Sequence, residues 1–349
     1  MARGELAINA RFRRGPQTGV QRVAAEILPR LGLPHREIAP ANWGTGLKGH
    51  AWEQFALPRL AGASPLWSPC NTGPIRVRSQ VVTIHDAAVF DHPEWFSRQF
   101  VAIYRLLLPR LARSARRVVT VSEFSRARLA IAFGLTEDRI EVVHNGVSER
   151  FAPQGTETVS TTAARYGVEP GHYFVTLSTL EPRKNLALTL RAWDAARTRL
   201  PGDMRLLLLG GSGGSQIFAA AGLPDTMPGV IRAGFVPDAD LPALLGGATA
   251  LLYPSRYEGF GLPLLEAMAC GTPAVTANTS SLPEVGGAAA LYVDPDDAAG
   301  LADTICRLAT EEALRSDLAA AGLAQARLFS WDKAAEQMRH ILKRDLDLS

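Results

Sequence analysis

"ALLYPSRYEGFGLPLLEAMACG", residues 250–271, reads as a buried strand, a glycine loop and a short helix in succession. The apolar run ends at Pro254. The helical pattern then opens with Pro263 in its first turn and stops at Gly271. A strand feeding a helix through a glycine loop is the repeating step of a parallel, doubly wound sheet. The amides of Phe260, Gly261 and Leu262 lie where a helix N-terminus offers free donors and the positive end of its dipole, which suits a phosphate or diphosphate. Gly259 and Gly261 let a ligand approach the backbone. Glu258 precedes the helix and Glu266 lies about one turn inside it. Carboxylates there accept hydrogen bonds from sugar or ribose hydroxyls. Read alone, they are equally an ordinary N-terminal charge and a solvated side chain.

The same alternation extends over the chain. Strands are expected at Leu6–Asn9, Val81–His85, Val118–Ser122 and Glu141–His144 in the first half. In the second half they are expected at Tyr173–Leu177, Arg205–Leu209, Val230–Ala233, Ala250–Tyr253, Ala274–Thr276 and Leu291–Val293. A chain of 349 residues fits two domains of roughly 150 residues each. The Thr-, Gly- and Pro-rich stretch 149–172 is the expected linker, with domains 1–155 and 156–330 and a terminal helical segment 331–349. The fold class is α/β, with two Rossmann-like doubly wound domains facing a central cleft.

Composition narrows the function classes. Charged residues make up 20% and apolar residues 47%, a globular balance, and no apolar run is long enough to span a bilayer. The first fifteen residues lack the apolar stretch of a signal peptide, so a cytoplasmic location is expected. Cys70, Cys270 and Cys306 are too few and too widely spaced for a disulfide framework or a zinc cluster. A net charge of +3 is too small to imply nucleic acid.

An anionic ligand needs cations as well as dipoles. Arg183 and Lys184 in "LSTLEPRKNL" follow the strand ending at Leu177, at the same end of the same sheet as the glycine loop. Together they can neutralise a leaving diphosphate without a metal. The other reading is a solvated loop with Asn185 capping the next helix.

At these residues the chain resembles glycosyltransferase family 4, retaining enzymes of the GT-B fold. The resemblance rests on "LSTLEPRKNL", on "GFVPDADLPALLGGATALLYPSRYEGFGLPLLEAMACGTPAV" with the E-x7-E pair Glu258 and Glu266, and on "SSLPEVGG". "TGVQRVAAEIL", "TIHDAAVFDHPEWF", "VTVSEFSRARL" and "VVHNGV" extend it over nearly the whole chain. The wording is nearest to bacterial mannosyltransferase-like members that build O-antigen or exopolysaccharide.

The resemblance implies a nucleotide diphosphate sugar as donor, GDP-mannose as first guess, and a glycan, on a lipid carrier, as acceptor. Arg183 and Lys184 would hold the diphosphate, with backbone donors from Phe260, Gly261 and Leu262. Glu266 would bind the ribose, Glu258 would lie beside the transferred hexose, and Val236 would pass near the base. Gly19 would bring the backbone of the first domain to the diphosphate from a tight turn, although this chain has QTGVQR where many members carry a double glycine. His85, at a strand end, would lie against the donor sugar; by itself a lone histidine there is more often structural. Asp86 would contact the acceptor, orient His85, or cap the next turn. The terminal helix would cross back to the first domain. Retention would proceed by front-face substitution, and no metal or cofactor is expected.

Competing patterns remain. Gly210, Ser212 and Gly214 satisfy G-x-S-x-G after a strand, but only His340 follows as a triad histidine and no oxyanion segment precedes it. Asp294 and Asp296 form a D-x-D pattern that helix capping also explains. Arg98, Arg105, Arg110, Arg113, Arg116 and Arg117 occupy a stretch free of acidic residues, with Phe100, Tyr104, Leu107, Leu108 and Leu111 on the other side and Pro109 expected to kink the helix. That pattern fits a helix buried against its sheet and also a peripheral contact with anionic membrane. A sugar-nucleotide epimerase and a silent nucleotide-sugar-binding protein are the alternative functions.

Overall fold

The computed structural model describes residues 5–14, 18–41, 46–177, 181–210 and 226–348. The chain forms two compact units, one of Met1–Gly146 with Phe329–Ser349, the other of Val147–Leu328.

In the first unit six strands form one parallel sheet. They are β1 (Leu6–Asn9), β2 (His35–Ile38), β3 (Leu66–Ser68), β4 (Gln80–Thr83), β5 (Arg117–Thr120) and β6 (Ile140–Val142). Their order is β2-β1-β3-β4-β5-β6, so the winding reverses between β1 and β3. β2 and β3 were not expected from sequence. β2 is the polar edge strand HREI, and β3 is three residues held between Pro65 and Pro69. Neither carries an alternation or an apolar run long enough to register. Val82, Ile84 and Val118 of the sheet layer bury against Leu108, Leu111, Leu129 and Phe133 of the covering helices Arg98–Ser114 and Glu123–Phe133.

The helix Trp331–Leu346 also belongs to this unit and packs on the helix Gly19–Arg30. Ser330 caps it, its Oγ accepting from the Lys333 amide at 3.2 Å. Gly146 passes so close that a Cβ there would stand 2.1 Å from the Trp331 nitrogen.

The second unit is another all-parallel sheet, of β7 (Tyr173–Leu177), β8 (Arg205–Leu209), β9 (Val230–Gly234), β10 (Ala250–Tyr253), β11 (Ala274–Ala277) and β12 (Leu291–Val293). The order β12-β11-β10-β7-β8-β9 reverses between β7 and β10, the position at which an open doubly wound sheet binds ligands. Phe174, Leu206, Leu252 and Val275 from the sheet pack with Leu188, Trp193, Leu301 and Ile305 from helices. Strands β1, β7, β8, β10 and β12 occupy the residues read from sequence, and β4, β5, β6, β9 and β11 shift by one or two residues at their ends. The stretch read as a linker contains the helix Thr156–Arg165, which buries Val159, Thr162 and Ala163. Small and β-branched residues hid this helix because its neighbour Leu241–Gly246 supplies the larger side chains of the contact.

Candidate active site

The second unit assembles its charged residues at the reversal point of the sheet. After β7 a 3-10 turn, Pro182–Lys184, leads into the helix Leu186–Ala196. Asn185 adopts φ +56° there and does not cap that helix through its side chain. Its Nδ2 instead donates to the carbonyls of Pro254 at 3.1 Å and Pro295 at 2.7 Å, and the Arg256 amide donates to the Arg183 carbonyl at 2.7 Å. These bonds stitch the loop after β7 to the loop after β10. Asn185 thus holds the N-cap position expected of it, but its side-chain amide spans the switch point instead of capping.

Glu258, 5% exposed, lies between the two cations. Arg183 Nη1 donates to its Oε2 at 2.8 Å and Lys184 Nζ to its Oε1 at 2.7 Å. The Tyr253 hydroxyl donates to the same Oε1 at 2.6 Å and accepts from Lys184 Nζ at 2.6 Å. Burial alone would raise the Glu258 pKa. The charges of Lys184 and Arg183, with the hydrogen bonds from Lys184 and Tyr253, outweigh it and hold the carboxyl at about 2. Burial lowers the Lys184 pKa, opposed by Glu258, and raises that of Tyr253. The backbone of the loop is fixed as well: the Glu258 amide donates to Ser280 Oγ at 3.1 Å, and Ser281 Oγ lies 2.9 Å from the carbonyls of both Glu258 and Phe260.

The helix that follows runs Leu262–Ala269, with Gly261 at φ +105° as its N-cap and Pro263 in the first turn. Only glycine adopts that φ without strain, and a Cβ would also meet Leu282 Cδ2 at 2.9 Å. The side chain of Phe260 is buried, so only its backbone can serve a ligand, and Glu266 is half-buried inside the helix. Val236 is buried too. The exposed large apolar side chain after β9 is Phe235, 86% accessible, which the sequence reading passed over.

In the first unit Gly19 is not in a tight turn after β1 but is the first residue of the helix Gly19–Arg30, after Thr18, whose amide donates to Gln21 Oε1 at 3.1 Å. His85 follows β4 and is buried; Nε2 donates to the Pro69 carbonyl at 3.0 Å, leaving Nδ1 as the acceptor, and burial lowers its pKa so the ring is neutral. Asp86 Oδ1 accepts from the Ala88 amide at 2.9 Å, the capping role among those weighed for it.

This unit also carries a buried polar cluster that sequence reasoning missed. Glu53, 1% exposed, accepts from Asn9 Nδ2 at 2.8 Å, Thr72 Oγ1 at 2.9 Å and Arg11 Nη1 at 2.7 Å. Asn9 ends β1 and Ser68 ends β3, so the cluster marks the reversal point of this sheet. The signal available was "NAR", with Asn9 closing an apolar strand and Arg11 two residues on.

Ser212 and Gly214 of the G-x-S-x-G pattern lie outside the described residues. Asp294 Oδ1 accepts from the Asp296 amide at 2.8 Å, Asp296 pairs with Arg256 at 2.5 Å, and Asp297 caps the helix Ala298–Thr310 through the Gly300 amide at 2.8 Å. Among the described residues no three His, Cys, Asp or Glu side chains converge as metal ligands. The helix Arg98–Ser114 runs on through Pro109, buries Leu107, Leu108 and Leu111, and leaves Phe100 and Leu106 exposed beside Arg98, Arg105, Arg110 and Arg113. Arg116 and Arg117 fall beyond it; Arg117 opens β5 and pairs with Asp345 at 3.2 Å.

Comparison with known proteins shows the family and the fold. Residues 171–311 match the family described as glycosyl transferases group 1, and residues 19–151 match glycosyltransferase family 4. O-antigen chain mannosyltransferase B of Escherichia coli is 36% identical over 270 residues, covering 76% of this chain and 70% of that protein. The serotype-specific mannosyltransferase WbdA of Escherichia coli is 30% identical over 207 residues, 58% of this chain and 25% of that one. Among solved structures, WaaG, a glycosyltransferase of lipopolysaccharide biosynthesis, aligns with TM-score 0.74 at 15% identity over 97% of this chain and 99% of its own. HepE of Anabaena, in complex with UDP and glucose, aligns with TM-score 0.73 at 19% identity, over 98% and 100%. The likeness to these structures establishes the fold, two Rossmann-like units of the GT-B class.

Proposed function

The chain belongs to glycosyltransferase family 4, and we propose that it is a retaining, metal-independent transferase moving mannose from GDP-mannose to a lipid-linked glycan of a bacterial surface polysaccharide. The observation that carries this reading is the pairing of Arg183 and Lys184 on Glu258 at the β7/β10 reversal, beside the N-terminus of the helix Leu262–Ala269. Two cations and a helix N-terminus suit a diphosphate, and they supply the charge stabilisation that a metal gives other transferases. Mannose is proposed because O-antigen chain mannosyltransferase B, 36% identical, and WbdA, 30% identical, are named mannosyltransferases.

The chemistry follows from the state of Glu258. A carboxylate held near pKa 2 with both oxygens on cations is neither a proton donor nor a free nucleophile at neutral pH. Retention then proceeds on one face: the bond from the anomeric carbon to the diphosphate breaks, the acceptor hydroxyl bonds to that carbon, and its proton passes to the departing diphosphate. Arg183 and Lys184 stabilise the leaving charge, Gly261 and Leu262 add backbone donors, and Glu258 and Glu266 take hydroxyls of the hexose and ribose. In the first unit, neutral His85 is the group proposed for the donor sugar and Asp86 the one proposed for the acceptor. The exposed Phe100 and Leu106, flanked by Arg98, Arg105 and Arg110, are the surface for a peripheral contact with anionic lipid on the cytoplasmic face.

Calorimetry and product release with GDP-mannose, UDP-glucose and UDP-GlcNAc, with and without chelator, test the proposal. One donor that binds and slowly releases its nucleotide diphosphate, unaffected by chelator and lost in Lys184→Ala, supports it. Donor conversion without acceptor points to an epimerase, and failure of every donor to bind removes the transferase reading. Vesicle co-sedimentation insensitive to salt and to Arg105→Glu with Arg110→Glu removes the membrane contact.

A further inference from the structure

Lys184 is held more completely than a diphosphate-binding lysine requires. Its ammonium carries three N–H groups. One is taken by Glu258 Oε1 at 2.7 Å and one by Tyr253 Oη at 2.6 Å, while the tyrosine ring lies beneath it at 5.0 Å from the centroid. With two directions of a tetrahedral group assigned, the third is fixed.

The phenol is itself immobile. Tyr253 is 2% exposed and ends β10, where it pairs with Thr276 of β11, whose Oγ1 donates to the Tyr253 carbonyl at 2.9 Å. Its hydroxyl hydrogen is committed to Glu258 Oε1 at 2.6 Å, so only its lone pairs face Lys184. A phenylalanine would pack in the strand equally well, and the hydroxyl adds burial cost unless it is used.

We propose that Tyr253 is a positioning residue for the donor diphosphate, directing the remaining N–H of Lys184 at the leaving phosphate oxygens and keeping that ammonium protonated. This rests on the transferase reading above. The charged groups around Lys184 are Glu258, Arg183 and Glu181; burial and Arg183 disfavour its charge and the two glutamates favour it, while the phenol oxygen is a neutral acceptor 2.6 Å from Nζ.

Tyr253→Phe keeps the ring and the strand and removes only the hydroxyl. The expected result is a kcat about tenfold lower with donor KM within about twofold, because the lost bond acts on the leaving group. The alkaline limb of the rate profile should move about one pH unit toward neutrality, since the ammonium loses an acceptor. The substitution should have no further effect on kcat in a Lys184→Gln background. An unchanged kcat and alkaline limb, or an equal loss in the Lys184→Gln background, overturns the proposal. A 13C NMR titration of the Lys184 Cε, assigned by Lys184→Gln, reads the protonation without any donor. A fall of about one pH unit in Tyr253→Phe supports the role even if no nucleotide-sugar is turned over, in which case only the transferase reading fails; no change overturns it.

Discussion

Replacing Glu258 by glutamine removes one negative charge from between two cations with almost no change of shape. The carboxyl pKa falls from an ordinary 4.5 to about 2 in the folded chain, a drop of about 2.5. At about 1.4 kcal/mol per pH unit this is about 3 kcal/mol of folding stability. Because the folded pKa is depressed, the contribution is complete above about pH 4.5 and is lost as pH falls toward 2. Urea unfolding of the wild type and Glu258→Gln should therefore differ by about 3 kcal/mol at pH 7, by about half that near pH 3, and converge at about pH 2 and below. Other carboxylates titrate in both proteins and cancel in the difference. Trp193 is the one tryptophan of residues 147–328, so its fluorescence, identified by difference from Trp193→Phe, follows the second unit. A stability gap that stays constant from pH 7 to pH 3 would refute the pairing, because a neutral or unpaired Glu258 has no depressed pKa to lose.

Two further substitutions test the first unit. Glu53→Gln should cost about 3 kcal/mol, the low end for breaking a buried pair, because Arg11 keeps an exposed edge; Arg11→Met with Glu53→Leu should recover most of that loss in thermal unfolding. Gly146→Ala has a permitted φ but places its Cβ against the backbone of Ser330 and Trp331, which cannot step aside, so unfolding should show a loss of about 3 kcal/mol or more where an open site would show almost none.

Elements with strong local signals were readable directly. The buried strand ALLY, the E-x7-E loop and Pro263 at the helix start announce themselves because apolar period, glycine and proline act within a few residues. Arg183 and Lys184 were legible as cations at the correct sheet end. Their partner was not: Glu258 lies 74 and 75 positions on, and whether a carboxylate beside a glycine loop faces solvent, a ligand or a lysine depends on which strands are neighbours.

The same limit hid Tyr253, which reads as the last hydrophobe of a strand, and Glu53, for which no local pattern suggests burial. Asn185 reads as a cap and does stand at the N-cap, but its side-chain amide spans two loops, which no local pattern shows. The sequence by itself determined the α/β class, the family and the side chains able to meet a diphosphate, since those depend on periodicity and short motifs. Tertiary structure alone decided which charges are buried together, because strand order β10-β7 and β1-β3, set by packing over the whole sheet, brings into hydrogen-bond range groups that no local pattern connects.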